Sequence, residues 1–277
     1  MDRRTIAVVF IALMASGCTL PGNSTDTGDN NGGPELATDR GLRIEAFRPT
    51  DETLRPSQPA ILNLRLKNYH TNPIYIKEIS IYNEGLLTVG NRSCNPSPGN
   101  LGSATGNTYP EMRCQWDVEA PPESAYGSFK SKPASVNLRL VYNSSLTNQR
   151  PFKVKFKPLE EINSTRSISK TFSNSEVSMK VSTESPVPVD SSRTVEIVTR
   201  EVGKGRIASD TNYVFKFIPD NLFGEDCERE DAPVVDKELK FSCSINGASR
   251  GTRNLLFSTS YKYVKEPVLN IKLVNNQ

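Results

Sequence analysis

An all-β protein is predicted from three observations. Val, Ile, Thr, Tyr and Phe recur in short runs that alternate with polar residues, the period-2 pattern of half-buried strands. Pro, Gly and Asn break these runs, and stretches with helical periodicity are scarce. Apolar residues make up 36% of the 277, enough for a core, while a mean hydropathy of −0.47 belongs to a soluble protein rather than a multi-span one. The length fits two domains of ordinary size.

The N-terminus reads as an export signal over residues 1–17. Arg3 and Arg4 form a charged segment, Ile6 to Ala15 an apolar one, and Ala15-Ser16-Gly17 places small residues before Cys18. The apolar run of ten residues falls short of the ~20 that a membrane-spanning helix needs. Small residues immediately before a cysteine resemble a lipobox, in which that cysteine becomes the lipid-modified first residue of the mature protein. Ala15 stands where Leu is more usual. The expected location is therefore extracytoplasmic, on the outer face of the cell membrane, with Cys18 as the lipidation site. The formal charge of +3 gives no electrostatic footprint for nucleic acid.

Residues 18–38 are almost entirely Gly, Asn, Asp, Ser, Thr and Pro, a composition that buries too little apolar surface to offset ordering entropy, and they read as a flexible tether. A first β-domain is expected over 39–158. Its strands are marked by Leu42 to Phe47, by Leu62, Leu64 and Leu66, by Ile74, Ile76, Ile79 and Ile81 with a slip at Lys77-Glu78, and by Met112, Cys114, Trp116 and Val118. Val136, Leu138, Leu140 and Tyr142 mark the next strand, and Phe152, Val154 and Phe156 the last. Residues 159–174, rich in Ser, Thr, Asn and charge, read as a linker. A second β-domain is expected over 175–277, on the alternation at Val177 to Val181, Val195 and Ile197, Tyr213 to Phe217, Leu239 to Ile245, Leu255 to Tyr263 and Leu269 to Leu273.

The two halves repeat one layout. Met-Arg-Cys-Gln-Trp at 112–116 matches Phe-Ser-Cys-Ser-Ile at 241–245, each followed by an alternating strand ending in tyrosine and then a last alternating strand. With Cys18 committed to lipid, four cysteines remain. Four allow three connectivities, and the repeat favours Cys94–Cys114 and Cys227–Cys243.

The opening of the first repeat, Phe47-Arg48-Pro49, then Ile61-Leu62-Asn63-Leu64-Arg65-Leu66-Lys67-Asn68 and a second apolar strand, resembles the immunoglobulin-like domains of archaeal and bacterial surface proteins, the cell-adhesion-related type included. That resemblance implies tandem immunoglobulin-like β-sandwiches with adhesive or scaffolding roles and no catalytic residues. Trp116 departs from the antibody pattern, lying beside a cysteine late in the domain rather than on the third strand.

Motifs that carry chemistry are few. His70, the one histidine, sits in the turn-like Asn-Tyr-His-Thr-Asn-Pro and reads as a surface residue. Gly99, Gly102 and Gly106 suggest a loop tip, without the helix that phosphate binding requires. Glu225, Asp226, Glu228, Glu230 and Asp231 around Cys227 read as a solvated acidic loop rather than a Ca²⁺ site, so no metal and no cofactor is expected. Lys153, Lys155 and Lys157 either blunt an edge strand or meet anionic glycans or lipid headgroups. Sequons occur at Asn23, Asn91, Asn143 and Asn163, and the last three are the candidate glycosylation sites.

The chain is thus expected to be no enzyme but a binding or structural module for adhesion, envelope scaffolding or glycan contact. Its expected partners are the membrane through its anchor and a glycan or surface protein, not nucleic acid. The alternative is an accessory subunit of a membrane-associated transport or secretion complex.

Overall fold

A computed structural model describes residues 41–148, 150–208, 214–224, 227 and 238–275. The expected export signal, Cys18, the expected tether, Asn23 and the five carboxylates around Cys227 lie outside the described residues.

The first half of the chain contributes nine strands: β1 Leu42–Pro49, β2 Thr53–Leu54, β3 Pro59–Asn68, β4 Ile74–Asn83, β5 Thr88–Asn95, β6 Asn100–Leu101, β7 Glu111–Glu119, β8 Ser131–Thr147 and β9 Phe152–Lys157. The second contributes β10 Arg166–Ser173, β11 Val177–Ser185, β12 Val187–Pro188, β13 Ser192–Glu201, β14 Arg206–Ile207, β15 Val214–Ile218, β16 Glu238–Asn246, β17 Gly251–Lys265 and β18 Val268–Val274. The fold is all-β. Alternation sets each buried face: Leu62, Leu64 and Leu66 on β3 point inward, as do Met112, Cys114, Trp116 and Val118 on β7, while Asn63, Arg65 and Lys67 point away.

Three sheets result. One runs β1-β3-β7-β5, a second β10-β11-β13-β16, and a ten-stranded sheet contains the rest. Its spine is a long antiparallel ribbon. β8 and β9 run one way and β17 and β18 the other, paired from Phe156↔Gly251 to Ser131↔Val274. Buried residues of all three sheets form one core cluster. Phe215 of β15 lies 4.6 Å from Phe241 of β16, and Phe172 of β10 lies 6.4 Å from Phe257 of β17, both pairs bridging two sheets.

The strand order identifies the architecture. β1-β3-β7-β5 with β4-β8-β18 reproduces the ABED and CFG sheets of an immunoglobulin-type sandwich. β11-β13-β16 with β15-β17-β9 gives A-B-E and C-F-G a second time. β2, continuing β1, pairs parallel with β18, and β12, continuing β11, pairs parallel with β9. Each sandwich therefore takes its last strand from the other half of the chain.

The domain boundaries are corrected accordingly. β9, expected in the first domain at 39–158, completes the second sandwich; β18, expected in the second at 175–277, completes the first. Residues 159–174 are not a bare linker, because β10 pairs with β11 along its whole length. The reason is physical: an alternating stripe such as Phe152, Val154, Phe156 fixes which face is buried but not which core buries it. Both sandwiches belong to one compact unit, Thr38–Gln277.

The ribbon crosses between sandwiches at Asn148. Its side chain donates to the carbonyls of Arg150 and Leu255, each at 3.1 Å, and accepts from the Phe257 amide at 2.7 Å. These bonds replace ladder contacts that the break between β8 and β9 interrupts.

Candidate functional site

The lysine strand lies beside a groove of about 410 Å³. Phe152, Val154 and Phe156 of β9 are buried, which sends Lys153, Lys155 and Lys157 to the opposite side. The three lysines and Arg166 of β10 line the groove with Ser164, Ile168, Ser185, Pro186 and Thr252. β9 is not a free edge. β17 pairs on one side, and on the other Val187 and Pro188 pair with Phe156 and Lys157 while the Lys155 amide donates to Ser185 Oγ at 3.4 Å. Lys170, beside it on β10, has its ammonium pushed down by burial and further by the charges of Arg150 and Lys153.

A second constellation is buried between the sandwiches, and sequence reasoning missed it. Glu176, in the turn from β10 to β11, is fully buried. Its Oε1 accepts from Tyr142 Oη at 2.6 Å and the Leu42 amide at 3.2 Å, and lies 3.4 Å from His70 Nε2. Its Oε2 accepts from Ser144 Oγ at 2.7 Å and Tyr261 Oη at 3.1 Å. Leu42, His70, Tyr142 and Ser144 belong to the first half of the chain, Glu176 and Tyr261 to the second. Chain entry is equally tight: Gly41 has φ +71°, and a Cβ there would collide with Ser175 Oγ and stand 2.9 Å from Glu176 Oε1.

The electrostatics favour a charged carboxylate. Burial alone would raise the Glu176 carboxyl, but the His70 hydrogen bond and charge, the Lys265 charge and the Tyr142 hydroxyl bring it down to about 2. Burial pushes the Tyr142 and Tyr261 hydroxyls well up, and the Glu176 charge adds to this. Burial lowers the Lys265 ammonium while Glu176 opposes that shift; Lys265 Nζ also donates to the Leu42 carbonyl.

His70 is thus corrected from surface residue to core residue, 1% exposed. Its contact with Ser144, 3.1 Å from Nε2, does not form a nucleophile–base pair. The single Ser144 proton goes to Glu176, so Ser144 Oγ is left to accept from the His70 ring. The cluster is a satisfied buried ion site that joins the sandwiches. Its sequence signal was present: in β8 the inward register runs through Leu140 and Tyr142 onto Ser144, a hydroxyl on a buried face that demands a partner.

The cystines are Cys94–Cys114, between β5 and β7, and Cys227–Cys243, with Cα–Cα distances of 4.1 and 4.9 Å. Two cystines fit an oxidising, extracytoplasmic compartment. Among the described residues no helix is long and apolar enough to cross a membrane. The candidate acceptors Asn91, Asn143 and Asn163 are all exposed. Asn91 lies on β5 and Asn143 on the central strand β8, while Asn163 lies between the turn at Leu159–Glu161 and β10. Gly99, Gly102 and Gly106 flank β6 in the connection between β5 and β7. No group of three or more potential metal ligands occurs among the described residues.

Comparison with known proteins gives little. No family model matches the chain, and no curated protein matches it. Among solved structures, a secreted serine protease, VesC from Vibrio cholerae, overlaps 83% of this chain and 50% of its own length at 10% identity and a TM-score of 0.24. At that score the overlap carries no inference about fold or activity.

Proposed function

We propose that the protein is an exported, lipid-anchored binding module, in which two immunoglobulin-like sandwiches form one stiff body carried outside the cell on a tether from Cys18. The observation that carries this reading is the reciprocal exchange of β9 and β18. A flexible pair of domains would sample many relative angles, whereas two sandwiches that complete each other hold their surfaces at fixed spacing, which suits contact with an extended partner. The cystines and the leader sequence support the location.

The test is Cys18→Ser in the expressing cell, followed by fractionation. The folded protein is expected in the medium and, when added back, is expected to sediment with isolated cell envelopes. Retention of Cys18→Ser in the membrane fraction refutes the anchor. Failure of the released protein to meet the envelope, together with a stoichiometric membrane partner recovered from detergent extract, favours an accessory subunit instead.

A further inference from the structure

The groove between β9 and β10 holds cations that the protein itself leaves uncompensated. Lys153, Lys155 and Lys157 stand two residues apart on one strand, so their stems recur every ~6.6 Å and span ~13 Å. Arg166 joins them in the same groove. Among the described residues none of the four is ion-paired with a carboxylate. The cross-strand neighbours of Lys153 and Lys155 are Asn254 and Thr252, both neutral. Like-charge crowding extends to Lys170, whose ammonium is lowered in part by Arg150 and Lys153.

The outer face of the β10-β11-β13-β16 sheet shows the contrast. There Lys240 meets Glu196 at 2.6 Å and Arg200 meets Glu238 at 2.7 Å, so the cations are neutralised in place. Protection of a bare edge does not account for Lys155 and Lys157 either, because that end of β9 is flanked by β17 and, through Val187, Pro188 and Ser185, by β11–β12.

We infer that this groove binds an extended acidic polysaccharide, with its carboxylate or sulfate groups on Lys153, Lys155, Lys157 and Arg166. The spacing selects a polymer: a lone phosphate or sulfate reaches one or two of the cations, not a row of ~13 Å. Ile168 and Pro186 supply apolar contact for a sugar face, and Ser164, Ser185 and Thr252 supply hydroxyls for its polar groups. A bilayer surface is too flat to enter a groove, and the aromatic side chains on which single-stranded nucleic acid stacks are missing from the lining. The inference rests on the reading of the protein as an exported binding module and names its ligand class.

The test uses the full chain purified in detergent, with heparin and alginate as acidic polysaccharides and dextran as the neutral one. Heparin or alginate is expected to retain the protein at about 50 mM salt and release it as salt screens the contacts; dextran is not. The triple variant Lys155→Gln, Lys157→Gln, Arg166→Gln removes two exposed charges and the half-buried Lys157, and is expected to keep its thermal melting while binding about 10-fold more weakly or worse. Lys77→Gln with Lys272→Gln, on the other sandwich, is expected to bind as the parent does. Absence of retention, equal binding by the triple variant, or equally tight binding of the same groove to single-stranded DNA or phosphatidylserine vesicles overturns the inference. Failure here with normal Cys18→Ser release and envelope binding removes the ligand assignment alone; failure of envelope binding removes the module reading itself.

Discussion

Glu176→Gln isolates the ion site that joins the sandwiches. The substitution keeps the shape of the side chain and removes its charge, leaving Lys265 and the His70 ring without their carboxylate. The carboxyl lies at about 2 in the folded protein against 4.5 ordinarily. That gap corresponds to about 3 kcal/mol of native-state preference for the charged form. Because the folded value is depressed, the contribution is fully present above about pH 4.5 and fades as pH falls towards about 2. The parent is therefore expected to lose stability steeply across that acidic window. Glu176→Gln is expected to be weaker by about 3 kcal/mol at neutral pH, a fall of roughly 6–12 °C in melting temperature, and to show a flatter acid profile. Denaturant titrations with cystines intact, at several pH values from neutral to strongly acid, read both quantities. A loss below about 1 kcal/mol with the acid slope unchanged would refute the assignment of Glu176 as the charge on which the junction depends.

Two further outcomes test the strand exchange. Truncation after Glu266 removes β18, including buried Ile271 and Leu273, from the first sandwich. Hydrogen exchange is expected to lose protection at 131–137 and 53–54, the partners of β18 in the first half of the chain; loss confined to the second half would contradict the observed pairing. Asn148→Ala leaves the Phe257 amide and the Leu255 carbonyl without their partner at the crossing. A cost of about 1–3 kcal/mol in chemical denaturation is expected, and a change within about 0.5 kcal/mol would show that solvent replaces those bonds.

What the sequence made legible was local. The alternation in β3, β7, β8, β16, β17 and β18 named the inward residues, because side chains on a strand point to opposite faces in turn. The cystine pairs were legible because equivalent strands in a repeat carry one cysteine each, once Cys18 was set aside as the expected lipidation site. β10 was not legible: in Arg-Ser-Ile-Ser-Lys-Thr-Phe-Ser the apolar residues are just Phe172, buried, and Ile168, partly so, too sparse a stripe to tell an edge strand from a linker. The exchange of β9 and β18 was beyond reach for a different reason. Their stripes fit either core, and the choice is made by Asn148 at the crossing and by pairing with residues about a hundred or more positions away.

Charges follow the same division between what one strand shows and what assembly decides. Sequence displays Glu176 and Lys155 alike as polar residues beside apolar ones, and says nothing of compensation. Folding gives the Glu176 carboxylate Tyr142, Ser144, Tyr261, the Leu42 amide and the His70 ring, all from strands or turns distant in the chain. It sets neutral Thr252 across the ladder from Lys155 and gives its amide Ser185 Oγ, and among the described residues its ammonium has no carboxylate. A buried charge without partners would cost several kcal/mol, so Glu176 had to be satisfied internally for the sandwiches to close. An exposed row of cations costs far less in water and is stable with no partner of its own. That asymmetry separates the two clusters. The satisfied one holds the molecule together, and the unsatisfied one, on a strand already flanked on both sides at Lys155–Lys157, is where an external anion has something to contribute.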